Sequence, residues 1–195
     1  MAVDFWWVRH APTWADTMVG HTDVAADLSD KKALSRLAKF LPADAAVISS
    51  DLSRSSQTAD AITGNRQRLA HSPNLREIFF GDWEGQTFDA VAHSHPDLSR
   101  NFWENPGHVA PPNGESWDIF SNRIKDTIHH ILENDPPENL ILVAHFGVIL
   151  AALQHAANLP SKSVFSFKIS NLSITRLSFL QKSAAWSIRS VNQNL

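Results

Sequence analysis

Arginine and histidine side chains stand where three apolar segments of the chain end. Arg9 and His10 follow the first segment, Arg54 lies just beyond the second, and His145 follows the third. Several cations in close proximity would be unfavourable unless an anion lay between them. Arginine binds phosphate oxygens in pairs, and because the chain has no cysteine, a covalent step would use a neutral histidine. Each residue alone has an ordinary structural explanation, but their repetition at three segment ends favours a phosphate site.

These four residues converge only if the apolar segments are neighbouring parallel strands. Residues 3–8, 45–50 and 139–144 are apolar on both faces, which is typical of buried strands in a parallel sheet. The carboxyl ends of parallel strands share one edge of a sheet, and open α/β folds bind ligands along that edge. We therefore predict an α/β fold with a mostly parallel central sheet and a site at its carboxyl edge.

Four segments between and after these strands carry helical signals. Ser29 can cap the first helix, in which leucine and alanine recur at helical spacing. The other predicted helices cover residues 53–62, with Gly64 near the end, 115–134 and 147–159. The chain therefore alternates strand and helix.

The remaining segments are less regular. Glycines and prolines interrupt the aromatic-rich residues 73–114, which we interpret as a long, lid-like insertion. Residues 164–169, 173–179 and 185–191 have strand-like patterns, and the sequence leaves the direction of these strands open. A length of 195 residues suits one domain of generous size, so we assign residues 1–195 to a single domain.

Composition and charge exclude some classes of protein. The formal net charge of -3 offers no broad basic surface for nucleic acid or an anionic membrane. The apolar run 140–159 nears the length of a membrane span, but His145, Gln154 and His155 interrupt it, which favours a buried strand followed by a helix. The first residues lack the basic start of a signal peptide, and the absence of cysteine is compatible with a reducing compartment, so we expect the cytoplasm.

Five motifs occur in an order that is found in a known family. They are VRHAPT at 8–13, SSDLSRSSQTA at 49–59, LREIFFGDWEG at 75–85, NGES at 113–116 and VAHFGVI at 143–149. In these motifs the chain resembles the histidine phosphatase superfamily, also called phosphoglycerate mutase-like, over nearly its whole length. The third motif is most similar to that of alpha-ribazole phosphatases and broad-specificity phosphatases. The resemblance implies a three-layer αβα sandwich and a phosphomonoesterase that works without a metal or cofactor.

The resemblance also implies roles for individual residues. His10 would be the nucleophile that becomes phosphorylated. The phosphoryl oxygens would be held by Arg9, Arg54 and His145. Glu77 would donate a proton to the leaving alkoxide and then act as base for the attacking water, which requires that Glu77 be protonated when substrate binds.

Other residues in these motifs refine the prediction. Thr13 and Phe146 are assigned to substrate binding. Glu84 is an alternative proton donor to Glu77, and its place in a turn disfavours it.

Two positions depart from the family pattern. Ala11 replaces the usual glycine and adds a methyl group near the phosphate loop. Asp16 replaces a frequent asparagine, so either its carboxylate points away from the phosphate or the pocket is altered.

Three other functions compete with a metal-free phosphatase. A metal-dependent phosphoesterase is disfavoured because His129 and His130 diverge around a helix and His93 and His95 flank a proline-broken loop. A cofactor-dependent mutase is disfavoured because this chain is short compared with the mutases of the family that it resembles. A catalytically weak phosphate-binding protein is disfavoured because every core residue of the family site is present.

The sequence does not identify the alcohol that would leave. Alpha-ribazole 5'-phosphate is the candidate that the resemblance offers, and the expected partner is a small phosphate monoester. Four tryptophans in or near the insertion could stack on a ring-bearing alcohol or belong to the core: Trp14, Trp83, Trp103 and Trp117. A strand edge near the end of the chain leaves a homodimer open.

Overall fold

A computed structural model describes residues 2–195 and contains a six-stranded sheet. The strands are β1 (Ala2–Arg9), β2 (Ala46–Ser49), β3 (Gln67–Arg68), β4 (Asn139–Ala144), β5 (Ile174–Leu180) and β6 (Ala185–Gln193). They lie in the order β3-β2-β4-β1-β5-β6. The first four strands are parallel, and β5 pairs antiparallel with both β1 and β6, so the sheet is mostly parallel as predicted.

The register of the three central strands brings their carboxyl ends to one edge. Arg9 of β1 is paired with Ala144 of β4, and Ser49 of β2 is paired with Val143 of β4. These strands are apolar on both faces because helices cover both sides of the sheet. The segments that follow β1, β2 and β4 therefore begin at the same edge, as the sequence predicts.

Helices form the two outer layers. They are α1 (Lys31–Phe40), α2 (Ser53–Thr63), α3 (Phe88–Ser94), α4 (Pro96–Glu104), α5 (Trp117–Glu133), α6 (Phe146–Ala157) and α7 (Ser161–Val164). Helices α1 and α2 pack on the face of the sheet that presents Trp6 and Val8. Helices α5 and α6 pack on the opposite face, which presents Phe5 and Trp7. The predicted three-layer αβα sandwich is confirmed.

The first helix begins one residue later than the sequence suggested. Asp30, not Ser29, caps α1, because its Oδ1 accepts a hydrogen bond from the amide of Ala33 at 2.9 Å. The amide of Ser29 instead donates to Oδ1 of Asp27 at 2.9 Å. Aspartate and serine are equally good caps, so neighbouring candidates cannot be separated from the local sequence.

Residues 164–169 do not form the predicted strand. Val164 is the last residue of the short helix α7, and the residues after it form a turn. In this turn the amide of Phe167 donates to the carbonyl of Val164 at 3.2 Å. Val164 is fully buried, and Phe165 packs against the same core. The apolar residues that suggested a strand therefore anchor a loop.

Residues 73–114, which we interpret from the sequence as a lid-like insertion, contain more regular structure than the sequence suggested. They form two 3-10 turns, Pro73–Leu75 and Gly81–Trp83, followed by α3 and α4. Phe102 of α4 packs edge to face on Trp83, with ring centroids 5.5 Å apart. Both rings belong to the same hydrophobic core as β1, β4 and α5.

The long apolar run 140–159 folds as β4 followed by α6, as predicted. The strand-like segments 173–179 and 185–191 form the β5–β6 hairpin. The two-residue edge strand β3 was not predicted. None of the helices formed by residues 2–195 combines the length and the apolar character that a membrane crossing would need.

Candidate active site

The four residues predicted to converge lie together at the carboxyl edge of the sheet. Arg9 ends β1 and His10 follows it, His145 is the N-cap of α6 directly after β4, and Arg54 is in the first turn of α2. The amide of His10 donates to the carbonyl of Ala144 at 3.0 Å, so the pairing of the two strands continues to the site. The rings of His10 and His145 stand edge to face with their centroids 5.2 Å apart.

An open cavity of about 220 Å³ lies at this edge. Its walls include six of the predicted site residues: Arg9, His10, Thr13, Arg54, Glu77 and Phe146. His145, the seventh, is fully buried beside the ring of His10. The fold therefore brings all seven predicted residues together.

His10 is held as a neutral imidazole with one nitrogen free. Its Nδ1 lies 2.6 Å from the carbonyl oxygen of Ala11, which can only accept, so Nδ1 carries the proton and Nε2 keeps its lone pair. Burial and the charges of Arg54 and Arg9 lower the pKa of His10 to about 3. The imidazole is therefore neutral at physiological pH, with Nε2 available as a nucleophile.

The main chain around His10 is fixed by two side chains that were not predicted. Oγ1 of Thr58 accepts from the amide of Ala11 at 2.9 Å, and the side chain of Asn171 donates to the carbonyl of His10 at 2.8 Å. Ala11 is fully buried and its φ is not positive, so the backbone does not require the usual glycine. Asp16 is exposed and is not among the residues that line the cavity.

Arg9 presents its guanidinium to the cavity from the end of β1. Its Nη1 donates to the carbonyl of Ile169 at 2.6 Å, and its guanidinium carbon lies 5.5 Å from the centre of the Phe146 ring. These neutral partners orient the group without cancelling its charge. Burial lowers the pKa of Arg9, but arginine remains charged at neutral pH.

Arg54 is oriented by the loop at residues 20–22, which Glu84 holds in turn. Arg54 is 2 % exposed and donates to the carbonyls of Thr22 at 3.0 Å and Gly20 at 2.6 Å. The carboxylate of Glu84 accepts from the amides of Gly20 at 3.2 Å, His21 at 2.7 Å and Thr22 at 2.9 Å. The carboxylate of Glu84 therefore fixes the loop whose carbonyls position the guanidinium of Arg54 in the site.

These contacts also bear on the choice of proton donor. Both oxygens of Glu84 are occupied by donors, which include the hydroxyl of Thr22 and the amide of Phe80. Although burial acts in the opposite direction, the hydrogen bonds lower the pKa of Glu84. Glu84 is therefore an ionised structural carboxylate, and it does not line the cavity.

Glu77 has the opposite character. It is 8 % exposed, and its two oxygens accept from the amides of Ile78 and Gly147, both at 3.0 Å. Burial raises the pKa of Glu77 and outweighs the opposing effects of the two amides, Arg54 and Arg9. A raised pKa favours the protonated form that a proton donor needs.

His145 is a buried imidazole whose ring nitrogens are both unpaired. Neither Nδ1 nor Nε2 has a hydrogen-bond partner among residues 2–195, although the residue is 0 % exposed. Burial, the adjacent ring of His10 and the charges of Arg54 and Arg9 hold the pKa of His145 well below its usual value. Buried polar atoms normally have partners, so both ring nitrogens of His145 remain available for a further hydrogen bond.

The four tryptophans singled out in the sequence have different environments. Trp83 and Trp117 are 0 % and 3 % exposed and belong to the core, the alternative that the sequence left open. Trp103 is 39 % exposed and lines a second, apolar pocket beside the first. Trp14 is 85 % exposed and lines neither cavity.

Comparison with known proteins gives a consistent result along the whole chain. The sequence model of the histidine phosphatase superfamily (branch 1) matches residues 5–194. An adenosylcobalamin/alpha-ribazole phosphatase of Escherichia coli is 29% identical over 178 residues, which cover 84% of this chain and 84% of that protein. The protein of the same name from Salmonella typhimurium is 27% identical over 171 residues, with the same two coverages.

Solved structures show the same fold. The alpha-ribazole phosphatase of Shigella flexneri superposes with a TM-score of 0.85 at 25% identity and covers 98% of this chain and 96% of its own. A mycobacterial glucosyl-3-phosphoglycerate phosphatase superposes with a TM-score of 0.86 at 23% identity over 100% of both chains. The architecture is therefore shared by phosphatases whose names specify different phosphate esters.

Proposed function

We propose that this chain, which belongs to branch 1 of the histidine phosphatase superfamily, hydrolyses phosphate monoesters of small metabolites through a phosphohistidine on His10. The observation that carries the proposal is the contact of His10 with the carbonyl of Ala11, from which the tautomer of the ring follows. Its Nδ1 is tied to the carbonyl of Ala11 at 2.6 Å, which leaves Nε2 unprotonated in the wall of a cavity that also contains Arg9 and Arg54.

In the first step, the lone pair on Nε2 of His10 attacks phosphorus, and the bond between phosphorus and the ester oxygen breaks. The electron pair of that bond passes to the ester oxygen, which takes the proton of Glu77 and leaves as a neutral alcohol. Arg9 and Arg54 stabilise the charge on the transferring phosphoryl group. The unpaired ring of His145 supplies a hydrogen bond to one of its oxygens.

In the second step, the ionised Glu77 takes a proton from water while the water oxygen attacks phosphorus. The bond between phosphorus and Nε2 of His10 breaks, its electron pair returns to the nitrogen, and inorganic phosphate leaves. The amides of Ile78 and Gly147 stabilise the ionised carboxylate between the two steps. Burial raises the pKa of Glu77, and the two amides act in the opposite direction. This balance suits a carboxyl group that must be protonated in the first step and ionised in the second.

Several finer features are part of the same proposal. Thr13 and Phe146 contact the substrate, and the relatives named above make alpha-ribazole 5'-phosphate the first natural ester to test.

Residues 1–195 act as a single catalytic domain, with residues 73–114 as its lid. The net charge of -3 supports a small-molecule substrate and no nucleic acid. The cytoplasm is the proposed compartment, and light scattering decides between monomer and homodimer.

The test is release of inorganic phosphate from an aryl phosphate by the purified protein in the presence of a strong chelator. We expect turnover to persist with the chelator and to be lost in His10→Ala. Asp16→Asn, at an exposed position outside the cavity, is the matched control and should keep its activity. Turnover that needs added metal, or that survives in a folded His10→Ala protein, would reject the proposal.

A further inference from the structure

An apolar pocket adjoins the proposed catalytic cavity. The two share Glu77, Phe80, Phe88 and Phe146, so an alcohol that takes the proton of Glu77 lies at the mouth of this pocket. The volume of the pocket is about 200 Å³. Complete small-molecule sites in proteins span roughly 300–1,000 Å³. The pocket is therefore sized for one compact part of a substrate, such as a ring, rather than for a whole metabolite.

Aromatic rings form most of the pocket wall. They belong to Phe80, Phe88, Phe102, Trp103, Trp117, Phe146 and Phe165. Glu77 is the only ionisable side chain among the described residues of the lining. An alcohol with a second anionic group would therefore lose its hydration without meeting a cation.

Two of these rings are exposed on the surface of the protein. Phe88 on α3 is 56 % exposed and Trp103 on α4 is 39 % exposed, and their ring centroids lie 5.8 Å apart at an angle of 49°. Phe102 and Trp83 already fill the core beneath them. Large exposed aromatic patches commonly mark binding sites, and a flat ring in the pocket would bury both side chains.

We propose that this pocket binds the alcohol part of the substrate and selects a flat, uncharged aromatic group over small alkyl or anionic groups. The inference rests on the proposed function, because it takes the ester oxygen to leave at Glu77. Phosphate esters whose alcohol carries a carboxylate are predicted to be poor substrates. Esters of ring-bearing alcohols are predicted to be good ones.

A series of esters tests the selection directly. Ethyl, benzyl and 2-naphthylmethyl phosphate differ in apolar area, and 4-carboxybenzyl phosphate adds a charge to the benzyl ester. We expect kcat/KM for 2-naphthylmethyl phosphate to exceed that for ethyl phosphate by about tenfold or more, because the ring is removed from water. We expect benzyl phosphate to exceed its carboxylated analogue by about tenfold.

Variants assign the selection to this pocket. Trp103→Ala and Phe88→Ala should each lower the ratio of kcat/KM for the naphthylmethyl and ethyl esters about tenfold. Trp103→Arg should raise the relative activity on the carboxylated ester by supplying the missing cation. Trp14→Ala, at a position that is 85 % exposed and outside both cavities, is the control and should keep the ratio. Thermal melting shows whether each variant is folded.

The outcomes separate this inference from the proposed function. If ethyl and naphthylmethyl phosphate are hydrolysed equally well and Trp103→Ala leaves their ratio unchanged, the pocket is not the alcohol site, although turnover through His10 stands. Calorimetric binding of 2-naphthylmethylphosphonate tests the pocket without turnover. Binding that is weakened in Trp103→Ala supports the pocket even if hydrolysis fails, and equal affinity in both proteins overturns it.

Discussion

The amide of Gly147 donates to Oε2 of Glu77 at 3.0 Å, and the absence of a side chain at Gly147 leaves the space in which this carboxyl group lies. A Cβ atom at that position would stand 2.4 Å from Oε1 of Glu77 and 3.2 Å from Cε1 of Phe120. Gly147 is in the first turn of α6, two residues after His145. The start of one helix therefore supplies a buried histidine and positions the proposed proton donor.

Gly147→Ala is expected to displace the carboxyl group of Glu77 towards the cavity that Glu77 lines, because the new Cβ would stand 2.4 Å from its Oε1. We expect kcat for alkyl phosphates to fall about 10²-fold, the lower end of what general acid catalysis contributes. Steady-state kinetics and thermal melting measure the effect. Gly107→Ala is the control, since its Cβ would meet nothing closer than 3.7 Å. Unchanged kcat in Gly147→Ala would argue against Glu77 as donor.

Glu77→Gln keeps the shape of the side chain but removes the transferable proton. We expect kcat/KM for alkyl phosphates, whose alkoxide leaves poorly, to fall about 10²–10⁴-fold. Activated aryl phosphates need little protonation of the leaving oxygen and should lose far less. Parallel measurements on ethyl and 4-nitrophenyl phosphate make the comparison. Equal losses on the two esters would remove Glu77 from the donor role.

The directions of two pKa shifts determine the pH dependence of kcat/KM. His10 must be neutral to attack. Because its pKa is about 3, protonation of His10 lowers the activity only at the acid end of the pH range. Glu77 must be protonated to donate, and burial raises its pKa, so activity on alkyl esters should fall as pH rises through that raised value. A profile that instead rises through about pH 6.5, where an ordinary histidine titrates, would contradict the environment described for His10.

The decline at higher pH has its own control. In Glu77→Gln the residual activity on alkyl esters should lose the decline, because the group that titrates there is gone. The acid limb should remain, because it belongs to His10. A basic limb that persists in this variant would have to come from another group.

Glu84→Gln tests the loop that orients Arg54. The amide nitrogen of glutamine would face main-chain donors at Gly20 and Thr22, so the loop carbonyls that hold Arg54 should shift. Hydrogen bonds to a charged group contribute about 1.5–3 kcal/mol, and we expect the Kd for inorganic phosphate to rise about tenfold. Calorimetry measures this affinity. Asp89→Asn, an exposed carboxylate on α3, is the control.

If Glu84→Gln destabilises the protein but binds phosphate with unchanged affinity, Glu84 supports only the fold. Thermal melting and phosphate binding on the same sample separate the two results. The site description predicts that both change, because the loop at residues 20–22 connects Glu84 to Arg54.

The strands with two buried faces are the part of the fold that the sequence predicts best. β1, β2 and β4 are mostly apolar because helices cover both sides of the sheet, and their polar residues lie at or near the strand ends, at Asp4, Arg9, Ser49 and Asn139. Residues 164–169 have a similar apolar pattern for another reason, since Val164 and Phe165 anchor a loop to the core. Only tertiary packing distinguishes these two cases.

The site was predictable to the extent that it follows from strand order. Arg54 and His145 meet His10 because the carboxyl ends of parallel strands coincide. In contrast, the amide of Gly147 meets Glu77 across 70 positions of the chain, and Asn171 meets His10 across 161. No local pattern encodes such pairs, so these contacts and the aromatic pocket emerged only from the folded structure.

Rapid acid-free quenching during turnover, followed by mass spectrometry of the intact protein and its peptides, tests the central claim most directly. We expect one phosphoryl group per chain, located on His10, present during turnover and lost when the ester is exhausted. His145, although also a histidine of the site, should carry none. Turnover with no phosphoryl group on His10 at any quench time, or with the group on another residue, would contradict the mechanism.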